Sequence, residues 1–185
     1  MNTPATMTFT ITFHGPFHIG GTPESGLDRV LDRMVPLPGT SLKGLLRAEA
    51  AERLRVLDPL VSAIFGARGQ HGSASPWWWS DAKIADEKIT RSARIHINDA
   101  TGTTERGFLL LGEDLWARTA TFTVEPRMMG ATADQALVIR AAARSVSALG
   151  GGRRRGSGWV TIEDDTEWSA DDTRALLALI EREQS

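Results

Sequence analysis

The sequence predicts an α+β fold in which one sheet carries its helices on a single face, and three observations predict it. Segments of period two recur along the chain, two main segments of helical period separate them, and each helical segment is followed by more strand-like sequence. The first strand is residues 7–13, where Met7, Phe9, Ile11 and Phe13 share a face and threonines fill the other. Residues 15–39 are so dense in Gly and Pro that neither period survives; they read as a long loop, a kind of segment that is commonly functional or disordered. Thr40 or Ser41 is expected to cap a helix with Leu42, Leu45, Leu46, Ala50 and Leu54 at helical spacing.

After Asp58 and Pro59 a short helical turn is expected to reach Phe65, followed by a flexible stretch over 66–76. Residues 77–84 read as a second strand. Residues 94–98, 108–111 and 119–124 are further strands, with a loop tip at 101–107. Residues 131–149 form the second main helix, stopping at a run of glycines as helix ends tend to. A closing strand at 157–162 and an amphipathic tail helix at 170–183 complete the order strand, helix, strands, helix, strand, which suits a ferredoxin-like sheet. At 185 residues, without an internal repeat, a single domain over 1–185 is expected.

The formal net charge of -2 gives no global attraction to nucleic acid, so any such surface must be local. Basic residues do gather at 43–55 and 153–155, and acidic ones at 163–172. The absence of cysteine excludes disulfides and thiolate metal sites. With no signal-type N-terminus and no apolar run of spanning length, the cytoplasm is the expected location and a membrane is not an expected partner.

Three constellations carry chemistry. In PLPGTSLKGLLR (36–47), Lys43 near a helix start and Arg47 one turn on are locally unfavourable neighbours, by about 0.2–0.5 kcal/mol. An anion docked on the helix-start N–H groups, the Ser41 hydroxyl and Lys43 would reverse that sign; a capped surface helix with solvated cations is the plainer alternative. In GGGRRRGSGWV (150–160), glycines let the backbone approach a ligand and the arginines supply charge for phosphate, though such a turn is also a common connector. In the first loop, His18, Asp28 and Asp32 are the third set. An aspartate there suits a divalent cation beside an RNA backbone, or is simply a turn residue. The triple tryptophan 77–79 must place at least one ring in the core, because alternate strand residues point to opposite faces; core or subunit contact is weighed above base stacking.

Taken together, HIGG (18–21), GLD (26–28), PLPGTSLKGLLR (36–47), FG (65–66), SDA (80–82), RIHINDATGTTERG (94–107) and GGGRRRGSGWV (150–160) resemble the RAMP superfamily, and most closely the repeated backbone subunit of type III CRISPR effector complexes. The resemblance runs in family order across almost the whole chain. It implies a modified RNA-recognition-type fold with an inserted thumb-like β-hairpin, expected within about 91–122. It further implies that His18, Ser41, Lys43, Arg47, Gly151, Gly152, Arg153, Arg154, Arg155 and Gly156 hold the backbone of a crRNA guide. Asp28 would be the catalytic and metal-binding residue that cuts target RNA with a divalent ion, Mg2+ or Mn2+, and Asp32 the reserve. The implied partners are crRNA, target RNA, further copies of the chain or related subunits, and other type III subunits. A non-catalytic guide-binding scaffold is the second reading. A guide-processing RAMP endonuclease using His14, His18 or His96 as general base is the third.

Overall fold

The computed structural model describes residues 4–20, 28–67, 72–97, 102–127, 130–153 and 156–184. In chain order its elements are β1 (Met7–Phe13), α1 (Gly39–Ala48), α2 (Asp58–Phe65), β2 (Trp77–Trp79), β3 (Lys83–Ala85), β4 (Lys88–Ile97), β5 (Thr104–Trp116), β6 (Thr119–Pro126), α3 (Ala133–Ser145), β7 (Val160–Asp164) and α4 (Ala170–Gln184). A π-helical turn, Glu49–Arg53, prolongs α1. Strands β2, β6, β1 and β7 lie side by side in that order, all antiparallel, and β3 also pairs with β6. With β2 and β3 counted as one interrupted strand, the first and third core strands are central and the second and fourth are at the edges, which is the ferredoxin-like arrangement.

The period-two pattern sorts the two faces. Met7, Phe9, Ile11 and Phe13 of β1, Ala120, Phe122 and Val124 of β6, and Val160 and Ile162 of β7 are buried. Phe9 and Phe122 stack with centroids 4.9 Å apart. Leu42 and Leu46 of α1, Ala50 just beyond it, and Val138, Ile139 and Ala142 of α3 complete this core. Each large apolar side chain so buried contributes about 1.5–3 kcal/mol. The opposite face presents Thr10, Thr12, Thr121, Thr161 and Glu163 to solvent.

The expected strand 77–84 is cut in two because Ser80 and Asp81 have other partners. The Ser80 hydroxyl accepts the Thr123 N–H at 2.9 Å, and Asp81 turns back to accept the Gly39 N–H at 2.8 Å. Trp77 and Trp79 are buried, and Trp77 Nε1 donates to Gln135 Oε1 at 2.9 Å. Trp78 faces outward under the Arg127 guanidinium, 4.7 Å from its ring centroid.

Strands β4 and β5 form a separate two-stranded ribbon entered between β3 and β6. Its pairing runs from Lys88↔Trp116 outward to Ile97↔Thr104, with a shift between Ile95 and Ile97. Both strands are longer than the segments 94–98 and 108–111 that periodicity picks out. Ile95, Leu109 and Leu111 on its described part are exposed, so apolar side chains do not mark a buried face there and the backbone ladder alone continues the strands.

Helix α3 is shorter than the expected 131–149. The Thr132 side chain caps it by accepting the Gln135 N–H, and Val146 leaves it in an extended conformation. The chain then pairs with the closing strand: Leu149 N–H donates to Gly158 at 2.8 Å and Val160 N–H to Ser147 at 3.1 Å. The glycine run is therefore the turn of a β-ribbon and not a helix stop. For the same reason the regular part of the closing strand begins at Val160, beyond the expected 157. At the other end of β7, Asp164 is held by Arg140 at 2.6 Å and Arg144 at 2.7 Å. Among the described residues, no helix is long and apolar enough to cross a membrane.

Candidate nucleic-acid interface

Neither Thr40 nor Ser41 caps α1. Pro38 occupies the cap position, and no side chain there accepts from the helix. Gly39 is forced by a close approach: a Cβ on it would lie 2.5 Å from the Trp79 carbonyl oxygen and 2.6 Å from that of Ser80. Because Asp81 already takes the Gly39 N–H, a carboxylate answers the positive helix start before any phosphate arrives. What remains for an anion are side chains. Lys43 and Arg47 line a cleft of about 300 Å³ with Thr40, Gly44, Gly66 and Ser73. Arg47 also donates to the Gly66 carbonyl at 2.6 Å, tying α1 to the end of α2.

The glycine turn is sewn to the first loop. Gly151 N–H donates to the His18 carbonyl and Gly158 N–H to that of Pro16, both at 2.8 Å, and His14 N–H donates to Trp159 at 2.9 Å. Gly150 (φ +75°) and Gly158 (φ +76°) are glycines because of this packing: a Cβ would lie 2.3 Å from the His18 oxygen and 2.0 Å from the Leu149 oxygen, respectively. Gly152 and Gly156 also have left-handed φ, whereas Gly151 does not and has room for a Cβ. Arg154 and Arg155 lie outside the described residues. Arg153 is exposed and stands between two cavities. One, of about 310 Å³, is lined by Ile19, Ser41, Gly44, Leu45 and Gly150 among others. The second, of about 510 Å³, is lined by His14, Glu49, Ser147, Ala148 and Trp159. Gly44 belongs also to the Lys43 cleft, so three depressions adjoin across α1 and the turn. No hydrogen bond or ion pair engages Lys43 or Arg153 among the described residues.

The first-loop residues occupy different stations. His18 is buried, its Nδ1 2.8 Å from the Glu113 carbonyl, so it joins the loop, β5 and the glycine turn and does not lie open. Asp28 is exposed and mounted on β5: its N–H donates to the Leu111 carbonyl at 2.9 Å and its Oδ2 accepts the Leu111 N–H at 2.8 Å. Gly21, Gly26 and Leu27 beside these residues lie outside the described residues. Asp32 is a turn residue, accepting the N–H groups of Met34 and Val35. Among the described residues, no group of three or more His, Cys, Asp or Glu gathers to hold a metal. His14 bonds Thr161, His18 is buried, and His96 is on β4, its side chain outside the described residues.

Four charged residues were not singled out by the sequence. Arg29 pairs with Asp114 and Arg33 with Glu113, both at 2.5 Å, fastening the first loop to the ribbon's root. Glu113 and Asp114 are themselves buried. Two acids interrupting the otherwise apolar end of β5 were the one local hint. The charge segregation seen in the sequence becomes a polarity along β7. Arg153 precedes its start, while at its end Arg140 and Arg144 pair with Asp164 and Arg140 also with Asp172. There Asp172 is held below the ordinary aspartate range, first by the Ser169 N–H and hydroxyl and then by Arg140.

Strand order and helix placement define a ferredoxin-like α+β protein with a ribbon inserted between its second and third core strands. The chain belongs to the RAMP superfamily, whose family model matches residues 10–161. Its fold is similar to chains in a cryo-EM structure of the type III-B Cmr-beta bound to cognate target RNA and in one of Cmr-beta in the apo state. In each case the TM-score is 0.70 at 12% identity, over 88% of this chain and 98% of the other. No curated protein matches the sequence.

Proposed function

We propose that this chain is a guide-binding backbone subunit of a type III CRISPR effector complex, with crRNA, target RNA, neighbouring copies and other type III subunits as partners. One observation carries the reading: two chain-distant segments, the start of α1 and the glycine turn, meet in adjoining depressions whose cations, the half-buried Lys43 and the exposed Arg153, have no partner among the described residues. Charge and hydroxyls without a base-reading constellation suit a sugar–phosphate track held irrespective of sequence. Likeness of fold to a type III-B Cmr chain supports the same reading. The ribbon Lys88–Trp116 is the thumb in this proposal, and the ferredoxin-like body, over a single domain, the palm.

We further propose that the subunit cuts target RNA at Asp28. Its carboxylate sits against the thumb's β5 arm with Oδ2 fixed by the Leu111 N–H, leaving Oδ1 for a cation. A single carboxylate completed by water and substrate phosphate is an ordinary site for Mg2+ or Mn2+, so the residue present fits such an ion. When bound, the ion would stabilise charge on the scissile phosphate. The scaffold reading is favoured by the absence, among the described residues, of any group of three or more His, Cys, Asp or Glu able to hold a metal.

The test is purification of the assembled complex carrying Asp28→Asn, which keeps an acceptor for Leu111. Guide RNA should co-purify undiminished while metal-dependent cutting of a complementary strand falls by at least two orders of magnitude, roughly. Cutting unchanged at the same positions would remove Asp28 from the chemistry. A wild-type complex that holds guide but never cuts would establish the scaffold reading.

A further inference from the structure

The cavity of about 510 Å³ beyond Arg153 was not among the sites singled out by the sequence, and its walls differ from a phosphate cradle. Trp159 lines it and is 57% exposed, an unusual position for the largest apolar side chain on the first turn into a core strand. Its backbone is fixed on both sides: its carbonyl accepts the His14 N–H, and it bridges Ala148. The His14 ring is held in turn, with Nε2 2.8 Å from the Thr161 hydroxyl. Glu49, the first residue of the π-helical turn, a kind of irregularity that recurs at functional sites, lines the cavity too. Its carboxylate also accepts from the Ser145 hydroxyl at 3.1 Å. A carboxylate repels phosphate and accepts from the N–H edge of a base, whereas Arg153 at the rim attracts phosphate.

We propose that this cavity is a nucleobase subsite, in which one base of a single-stranded RNA stacks on Trp159 while its phosphate lies at Arg153. The subsite rests on the guide-binding reading and deepens it, adding a stacking contact to a track otherwise built of charge. Every base offers a π face, so the contact is indifferent to sequence. It is also insensitive to salt, unlike a contact to phosphate.

The full-length protein is titrated with a single-stranded RNA of mixed sequence over a range of salt concentrations, as wild type, Trp159→Ala, Trp159→Phe and Arg153→Ala. Trp159→Ala should weaken binding roughly 5- to 150-fold at every salt concentration, leaving the salt slope unchanged. Trp159→Phe should restore most of the loss. Arg153→Ala should reduce the steepness of the slope by about 0.7. Scanning one abasic position along the RNA should reveal a penalty in wild type that is absent in Trp159→Ala. Because Trp159 is more than half exposed, its variants should melt close to wild type, which circular dichroism checks. If wild type binds RNA and Trp159→Ala binds as tightly, the subsite is wrong and the guide-binding reading stands. The subsite is equally wrong if Trp159→Ala loses only self-association, since the ring would then be a subunit contact. If wild type binds no RNA, alone or assembled, both readings fall.

Discussion

Gly151 differs from its neighbours in one respect that matters. Gly150 and Gly158 are glycines because a Cβ would strike the chain's own carbonyls, and Gly152 and Gly156 because of their φ, but Gly151 has neither reason. Gly151→Ala should therefore leave the melting temperature within a few degrees of wild type while weakening RNA binding. Gly150→Ala should lower stability first, by more than about 1 kcal/mol, read in a thermal melt. The sequence displayed all five glycines equally and could not sort them, because the sorting depends on contacts with His18 and Leu149 made in three dimensions. Asp172 supports a second prediction. A carboxyl whose acidity is strengthened in the fold contributes stability that is present above the ordinary aspartate value near 3.9 and is lost as pH falls through its lower folded value. The difference in melting temperature between wild type and Asp172→Asn should be constant near neutrality and shrink in the acid limb below about pH 4.

Among the elements, those with one buried face were legible and those without were not. Strand β1 matches its expected span because four apolar side chains alternate with threonines; α1 was legible as a helix from its leucine spacing, but it starts at Gly39, ahead of the expected Thr40 or Ser41 cap, and passes into a π-helical turn at Glu49. The ribbon was legible only in fragments, and the ending of α3 was misplaced because Val146, Ala148 and Leu149 remain apolar after the backbone has turned to pair with the segment before β7. The burial of His18 and the carboxylate of Asp81 at the start of α1 were not legible, since each depends on a partner distant in sequence. The loop-to-ribbon fastening gives a prediction at this scale. Arg29→Ala leaves Asp114 short of its partner in a partly buried setting, and should cost about 1.5–3 kcal/mol. The loss should appear as faster amide exchange in β4, β5 and the adjoining loop before the palm is affected. Uniform exchange across the whole chain would refute a local fastening.

At the level of the whole molecule, a net charge of -2 coexists with Lys43 and Arg153 in adjoining depressions because acids gather at the other end of β7, where Arg140 pairs with Asp164 and Asp172 and Arg144 with Asp164. An RNA that follows the adjoining depressions meets Lys43 and Arg153 in one path. Lys43→Ala should then flatten the salt dependence of binding by about 0.7, as Arg153→Ala does, and the double variant by about the sum. Replacing Lys83, on the outer edge of the sheet, should leave it unchanged.

The ribbon leaves the palm at β3 and returns at β6, where Ala85 already faces Thr119. Its length is consequently an independent dimension of the molecule. Two residues added to each arm beyond Ser92 and Gly112 would keep inward and outward side chains in phase, whereas one would invert them. The spacing at which such a subunit touches whatever lies beyond its tip can thus be lengthened in discrete steps of roughly 7 Å without recutting the body that carries it.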